Sequence, residues 1–301
     1  MSGIIAILTA TIVWGAGSPI FKYALTDIPP FTLAFIRFFT ASFIFLPLAI
    51  SHFKKMTPKL WWHLVMGAFW GIAVNVSFFF LGLRLAPSIN ATIVSSIGPI
   101  LLYILSLRLL KEKPHPQIIH GMFISLVGVL IIILAPLIKS TQLHTLTEQV
   151  GLSTFLGNLC FIGAMIGGIM FTIDNKQLAG KVHPYTVTGL QFFIGSMAFV
   201  PFMMYELQNW SFQELTGKSW IGIVYGVFFS SALAYFAQNY ALTKLTAQQV
   251  GMFTYIMPVA AVLVAIPLLG EYPDIFFMLG ATAVFIGILI GERHVSRKRK
   301  S

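Results

Sequence analysis

Charge is scarce in this chain. Asp, Glu, Lys and Arg make up 9% of its 301 residues, against roughly 25% in an ordinary soluble domain, so a soluble globular protein is excluded. Cysteine is scarcer: Cys160 is the only one, which rules out a disulfide within the chain. The signatures of common enzyme chemistry are missing too. There is no HExxH, no glycine-rich phosphate loop ending in Lys-Ser/Thr, no GxSxG and no CxxC. His115 and His120 are five residues apart and would splay on a helix. The nine acids, Asp27, Glu112, Glu148, Asp174, Glu206, Glu214, Glu271, Asp274 and Glu292, fall almost entirely between or at the ends of apolar runs. An intramembrane enzyme would need paired acids or a serine with a base, and no cofactor or metal site is expected.

What is present is long apolar sequence, 57% hydrophobic overall. A membrane-spanning helix needs about 20 mostly apolar residues. Nine stretches free of charge, and a tenth from Ile28 to Phe53 interrupted only by Arg37, place ten spans near 4–22, 31–51, 61–82, 88–110, 116–138, 153–173, 184–205, 219–240, 246–269 and 274–291. The first has no basic segment before it and is followed by nine more, so it reads as a retained span rather than a signal peptide. Cytoplasmic loops carry the excess of Lys and Arg. With both termini inside, the inner loops hold Lys54, Lys55, Lys59, Arg108, Lys111, Lys113, Lys176, Lys181, Lys244, Arg293, Arg297, Lys298, Arg299 and Lys300, and the outer ones only Lys22, Arg84, Lys139 and Lys218. The net charge of +10 then reflects topology and anionic lipid contact at the RKRK tail, not nucleic acid.

The second half of the chain answers the first. IPPFTLAFIRFFTA (28–41) aligns with VHPYTVTGLQFFIG (182–195) at an offset of 154, matching Pro30 to Pro184, Thr32 to Thr186 and Phe38 to Phe192. Further on the offset becomes 159 and pairs Trp61 with Trp220, Gly67 with Gly226, Pro99 with Pro258 and Glu112 with Glu271. Each repeat holds five spans, an odd number, so the second copy must lie upside down relative to the first. Such inverted repeats build secondary transporters, with the substrate site near the midplane at the repeat interface. The expected architecture is an all-α integral membrane protein of ten transmembrane helices. Residues 1–138 form one repeat, 139–152 an external linker, 153–291 the second repeat and 292–301 a basic cytoplasmic tail.

Trp14-Gly15 in the first span, Arg37 in the second, Pro99 and Pro258, and Glu112 and Glu271 in LLKEKP and LLGEYP together resemble the ten-helix drug/metabolite transporter superfamily, EamA type. The resemblance covers the whole chain in two copies. It implies a secondary transporter without an ATP site, commonly an exporter of amino acids, other metabolites or drugs. At Ser18-Pro19 the sequence departs from the family, which often has Asn and apolar residues there.

Polar groups inside a span are costly unless they face a cavity or another helix. Arg37 lies about 9 Å along its span; it either snorkels to the outer headgroups or attracts a carboxylate or phosphate, and its repeat mate Gln191 cannot do the latter. Tyr235, Gln238 and Asn239, extended by Ser231, share one helix face, turned to substrate or to a neighbour. Asn75 and Phe79 stand likewise in the third span, Phe79 being the mate of Gln238, and Ser95 and Tyr255 in the fourth and ninth. Trp14 is placed as a cavity wall, with Ser18 near it. Pro19, Pro99 and Pro258 are candidate gates or hinges, or static kinks. Asp174 and His120 are the candidates for proton coupling, although the acid inventory favours facilitated diffusion or exchange. Gly67/Gly71, Gly163/Gly167 and Gly222/Gly226 read as helix contacts.

These residues point to a plasma-membrane transporter exporting small metabolites such as amino acids by alternating access. A nucleotide-sugar or phosphorylated-metabolite carrier is the alternative within transport, and a membrane enzyme or scaffold the alternative outside it. The expected partners are a small-molecule substrate and lipid.

Overall fold

The computed structural model describes residues 2–51, 56–109 and 147–297, and between the last two segments residues 123, 124, 126–128, 130–132, 134 and 135. Among them there are helices and no strands. The order is α1 (Gly3–Ala24), α2 (Pro30–Ser51), α3 (Pro58–Ala68), a π-helical stretch (Phe69–Val74), α4 (Asn75–Leu85), α5 (Ser88–Ser95) and α6 (Gly98–Leu109). After the gap come α7 (Thr147–Leu178), α8 (Pro184–Met197), α9 (Val200–Glu206), α10 (Gly217–Val224), a second π-helical stretch (Tyr225–Leu233), α11 (Ala234–Lys244), α12 (Ala247–Met252), a 3-10 turn (Phe253–Ile256), α13 (Met257–Leu269) and α14 (Ile275–Arg297).

Among the described residues six continuous helical segments are long and apolar enough to cross a membrane: Gly3–Ala24, Pro30–Ile50, Pro58–Leu85, Gly151–Leu178, Gly217–Lys244 and Gln249–Leu269. Pro184–Met197 with Val200–Glu206, bent by 47°, makes a seventh if the pair is one span. Ser88–Leu102 and Ile275–Gly287 are shorter apolar helices. The expected fifth span, 116–138, lies largely outside the described residues.

Helix ends are set by small polar residues that satisfy the free N–H groups of a first turn. Ser2, Thr57, Thr216 and Thr246 cap α1, α3, α10 and α12. Gly270 (φ 65°) takes the left-handed conformation that ends α13. Two caps come from far away in sequence. Glu206 accepts from the N–H groups of Phe31 and Thr32 and from the Thr32 hydroxyl. Glu271 accepts from the N–H and Oγ of Ser88 at the start of α5 and forms a 2.9 Å ion pair with Lys22, whose Nζ also donates to the carbonyl of Ala86. Glu271 thus anchors the start of α5; its repeat mate Glu112 lies outside the described residues.

The offsets seen in the sequence recur in the element bounds. Pro58–Leu85 and Gly217–Lys244 are each a helix with a π stretch in the middle, and both bounds lie 159 residues apart. Ser88 and Ala247, where α5 and α12 begin, and Gly98 and Met257, where α6 and α13 begin, stand at the same separation. Pro99 and Pro258 each occupy the second position of the helix after a break, where the missing N–H of proline costs nothing. Pro19 lies inside α1, which runs through it unbroken.

The surface is inverted relative to a soluble protein. Ile50, Trp62, Phe202, Phe228 and Leu263 are each more than half exposed, while Arg37, Asn158, Gln191 and Ser196 are buried. Apolar side chains outside and polar ones inside suit a lipid surround. In the interior α2 packs along α8, α4 along α7, and α1 along α11 and α13. Gly15 lets α1 close on α13: a Cβ there would stand 2.5 Å from the Met257 carbonyl oxygen.

Candidate functional site

Between these helices lies a cavity of about 190 Å³, several water molecules in size. Its aromatic wall is built around the two π stretches. A π turn shifts the backbone register and frees carbonyls that the α-ladder would otherwise occupy, and here side chains take them. Trp14 Nε1 donates to the carbonyl of Ser230 at 3.0 Å, and the Tyr235 hydroxyl donates to the carbonyl of Gly71 at 3.1 Å. The two rings meet edge to face, centroids 5.1 Å apart. Tyr235 makes further edge contacts with Phe38, Phe171 and Phe192.

Arg37 enters this wall from α2. Its Nε donates to Ser231 Oγ at 2.6 Å and its Nη2 to Ser230 Oγ at 2.9 Å. The guanidinium carbon lies 4.7 Å from the Phe21 ring centroid and 4.5 Å from that of Phe38, a cation–π setting on two sides. The residue is 2% exposed, so the side chain turns into the protein instead of reaching along α2 for the membrane surface. Gly226 makes room for it: a Cβ there would meet Arg37 Cδ at 3.1 Å.

Polar groups complete the lining. Asn75 Nδ2 donates to the carbonyl of Ala164 and Gln238 Nε2 to Thr172 Oγ1. Ser95 returns its hydroxyl to the carbonyl of Ala91 just before the break at Pro99. Of the residues singled out from the sequence, Trp14, Arg37, Asn75, Phe79, Ser95, Pro99, Tyr235 and Gln238 line this one cavity.

The others lie elsewhere. Asn239 follows Gln238 by one residue, about 100° around the helix, and so faces α8 instead: its Nδ2 donates to Thr188 Oγ1, and its Oδ1 accepts from Asn175 Nδ2. Asn175 in turn exchanges hydrogen bonds with Gln191. Ser18 is buried beside the Pro19 turn with no partner for its hydroxyl among the described residues. Tyr255 is half-buried in the 3-10 turn, and Pro258 is buried where α13 begins; neither lines the cavity. Asp174 is bound to His63, Oδ1 to Nδ1 at 2.8 Å, outside the cavity. His120 lies outside the described residues.

Phe21, Phe171, Thr172 and Ser230 line the cavity without having been singled out from the sequence. Ser230 adjoins Ser231 on a face already marked as polar, and that was the available signal. The phenylalanines carried none, because an apolar ring serves equally well against lipid. Among the described residues no three His, Cys, Asp or Glu side chains gather as a metal site.

Residues 1–134 and 155–291 match the profile of the EamA-like transporter family. The chain belongs to the EamA-like transporter family. Relatives align over nearly its whole length. YetK of Bacillus subtilis, named an uncharacterized transporter, is 26% identical over 96% of this chain and 86% of its own. An uncharacterized transporter of Archaeoglobus fulgidus is 26% identical over 94% and 95%. The S-adenosylmethionine uptake transporter of Rickettsia conorii is 24% identical over 100% and 97%. A solved crystal structure with 18% identity shares the fold at a TM-score of 0.68, over 99% of each chain. This EamA protein is therefore a multi-pass membrane transporter and not an enzyme.

Proposed function

We propose that this transporter moves small metabolites such as amino acids across the plasma membrane through the Arg37 cavity, by alternating access between two inverted five-helix repeats. Export, ten spans and cytoplasmic termini belong to the same reading. The observation that carries it is the meeting of side chains from both halves of the chain, Trp14, Arg37 and Asn75 with Tyr235 and Gln238, around one cavity. Matched π stretches and matched proline breaks give each half an element that could rearrange.

The Rickettsia relative is named for uptake of an amino-acid derivative, a molecule that bears a carboxylate, which supports a small carboxylate-bearing cargo. A carrier of phosphorylated metabolites would need more than one cavity cation, and Arg37 is the only charged residue among those described that line it. The test is counterflow: purified protein in liposomes preloaded with amino acids should accumulate labelled substrate without ATP. No exchange across a broad metabolite panel would reject the reading.

A further inference from the structure

We propose that the cavity selects organic monoanions, with a single carboxylate-like group seated on Arg37 and an apolar or aromatic body against Trp14, Phe79 and Tyr235. The inference rests on the Arg37 cavity being the transport site. A guanidinium carries five N–H donors, and among the described residues protein groups take two of them, both into neutral serine hydroxyls. Among the described residues no carboxylate lies within 4 Å of it, since the only ion pairs are Lys22–Glu271 and His63–Asp174. A buried cation held only by hydroxyls and ring faces remains uncompensated, and arginine does not relieve this by losing its proton. Its planar fork fits a carboxylate through two parallel bonds.

The matched place in the other half is built in the opposite way. At the offsets of 154 and 159, Arg37, Phe21, Ala34 and Phe80 correspond to Gln191, Asn175, Thr188 and Asn239. Those four close on themselves: Gln191 and Asn175 exchange hydrogen bonds, Asn175 donates to Asn239, and Asn239 donates to Thr188. The amide groups of that network thus partner one another. The Arg37 side replaces the amides of Asn175 and Asn239 with the rings of Phe21 and Phe80 and the hydroxyl-bearing Thr188 with Ala34, so the charge is left for something that enters.

The class follows from what else is absent from the lining. With one cation, a dianion would keep a charge unpaired in a mostly apolar cavity. With no carboxylate among the described lining residues, an ammonium group would gain no ion pair, so an amino acid would be held by its carboxylate while its amine contributes little.

Four probes of one shape test this on purified protein in lipid nanodiscs, read by thermal shift: 3-phenylpropionate, its amide, 2-phenylethylammonium and L-phenylalanine. The acid should bind about tenfold or more tightly than the amide and the amine, and no more weakly than L-phenylalanine. Arg37→Gln should abolish the advantage of the acid over the amide. Arg37→Lys, which keeps the charge without the fork, should retain part of it. Equal binding of acid and amide by the native protein, binding of the amine alone, no stabilisation by any of the acids, or an acid preference that survives Arg37→Gln would each overturn the inference. Binding needs no vectorial movement, so it separates the two readings. Acid-selective binding without counterflow would reject transport through this cavity and keep the anion site. Counterflow of cations that is insensitive to Arg37 would do the reverse.

Discussion

Arg37 sits about two turns inside α2 from Pro30, and among the described residues its hydrogen bonds and ring contacts come from neutral groups: Ser230, Ser231, Phe21, Phe38 and Tyr235. Arg37→Gln leaves two serines with a weaker partner and removes the charge that faces the cavity. The variant should insert at normal yield and lose transport about tenfold or more, measured as initial counterflow rate per folded protein. Asp27, in the turn between α1 and α2, offers a pH test. Hydrogen bonds from Thr216 (2.5 Å) and Thr26 (2.8 Å), with a smaller contribution from Lys218, hold its carboxyl below the ordinary carboxylate range. A depressed value stabilises the fold above the ordinary pKa of about 3.9, and the contribution disappears as pH falls through the depressed value. The native protein should therefore melt above Asp27→Asn at pH 7, with the difference closing under acid conditions. At this scale the sequence was informative wherever burial is expensive. Arg37, Trp14, Asn75 and Gln238 each had to find polar partners inside a span, and each lines the cavity. Asn239 shared their helix but not their direction, and one residue of rotation took it into the Asn175–Gln191 network.

Among the described residues six of the expected spans, and a bent seventh, were legible because lipid demands uninterrupted apolar sequence; the caps Thr57, Thr216 and Thr246 that fix helix starts were not read from the sequence. The break before α6 was announced by Pro99. The π stretches were not, since Phe69–Val74 and Tyr225–Leu233 read as ordinary apolar helix, and what distinguishes them is the use of their carbonyls by Tyr235 and Trp14. Nor could sequence reveal which helix N-terminus Glu271 would serve. That residue ties α1, α5 and the turn after α13 together through Lys22 and Ser88. Glu271→Gln should cost about 1–2 kcal/mol, more than an exposed pair because Glu271 is largely buried, less than a fully buried one because Lys22 is partly solvated. The loss should read out as a lower melting temperature in detergent. Adding Lys22→Met should cost less than the two changes separately, because they share one ion pair.

At the scale of the whole molecule, an apolar exterior encloses a small cavity built by both halves of the chain, and its one charged lining residue among those described comes from the first half. Unequal chemistry at places 154 and 159 residues apart in the two halves would let a single site face either side of the membrane while keeping one anchor for its cargo. The most direct measurement is two-sided thiol access. In a Cys160→Ala background, Asn75→Cys, Ser95→Cys and Gln238→Cys are introduced singly into protein in sealed vesicles of known orientation. A membrane-impermeant maleimide is then added from one side at a time. The account predicts that each cavity cysteine reacts from both sides and that 3-phenylpropionate slows the reaction. Reaction from one side only, or from neither, in protein that is folded and inserted would contradict it.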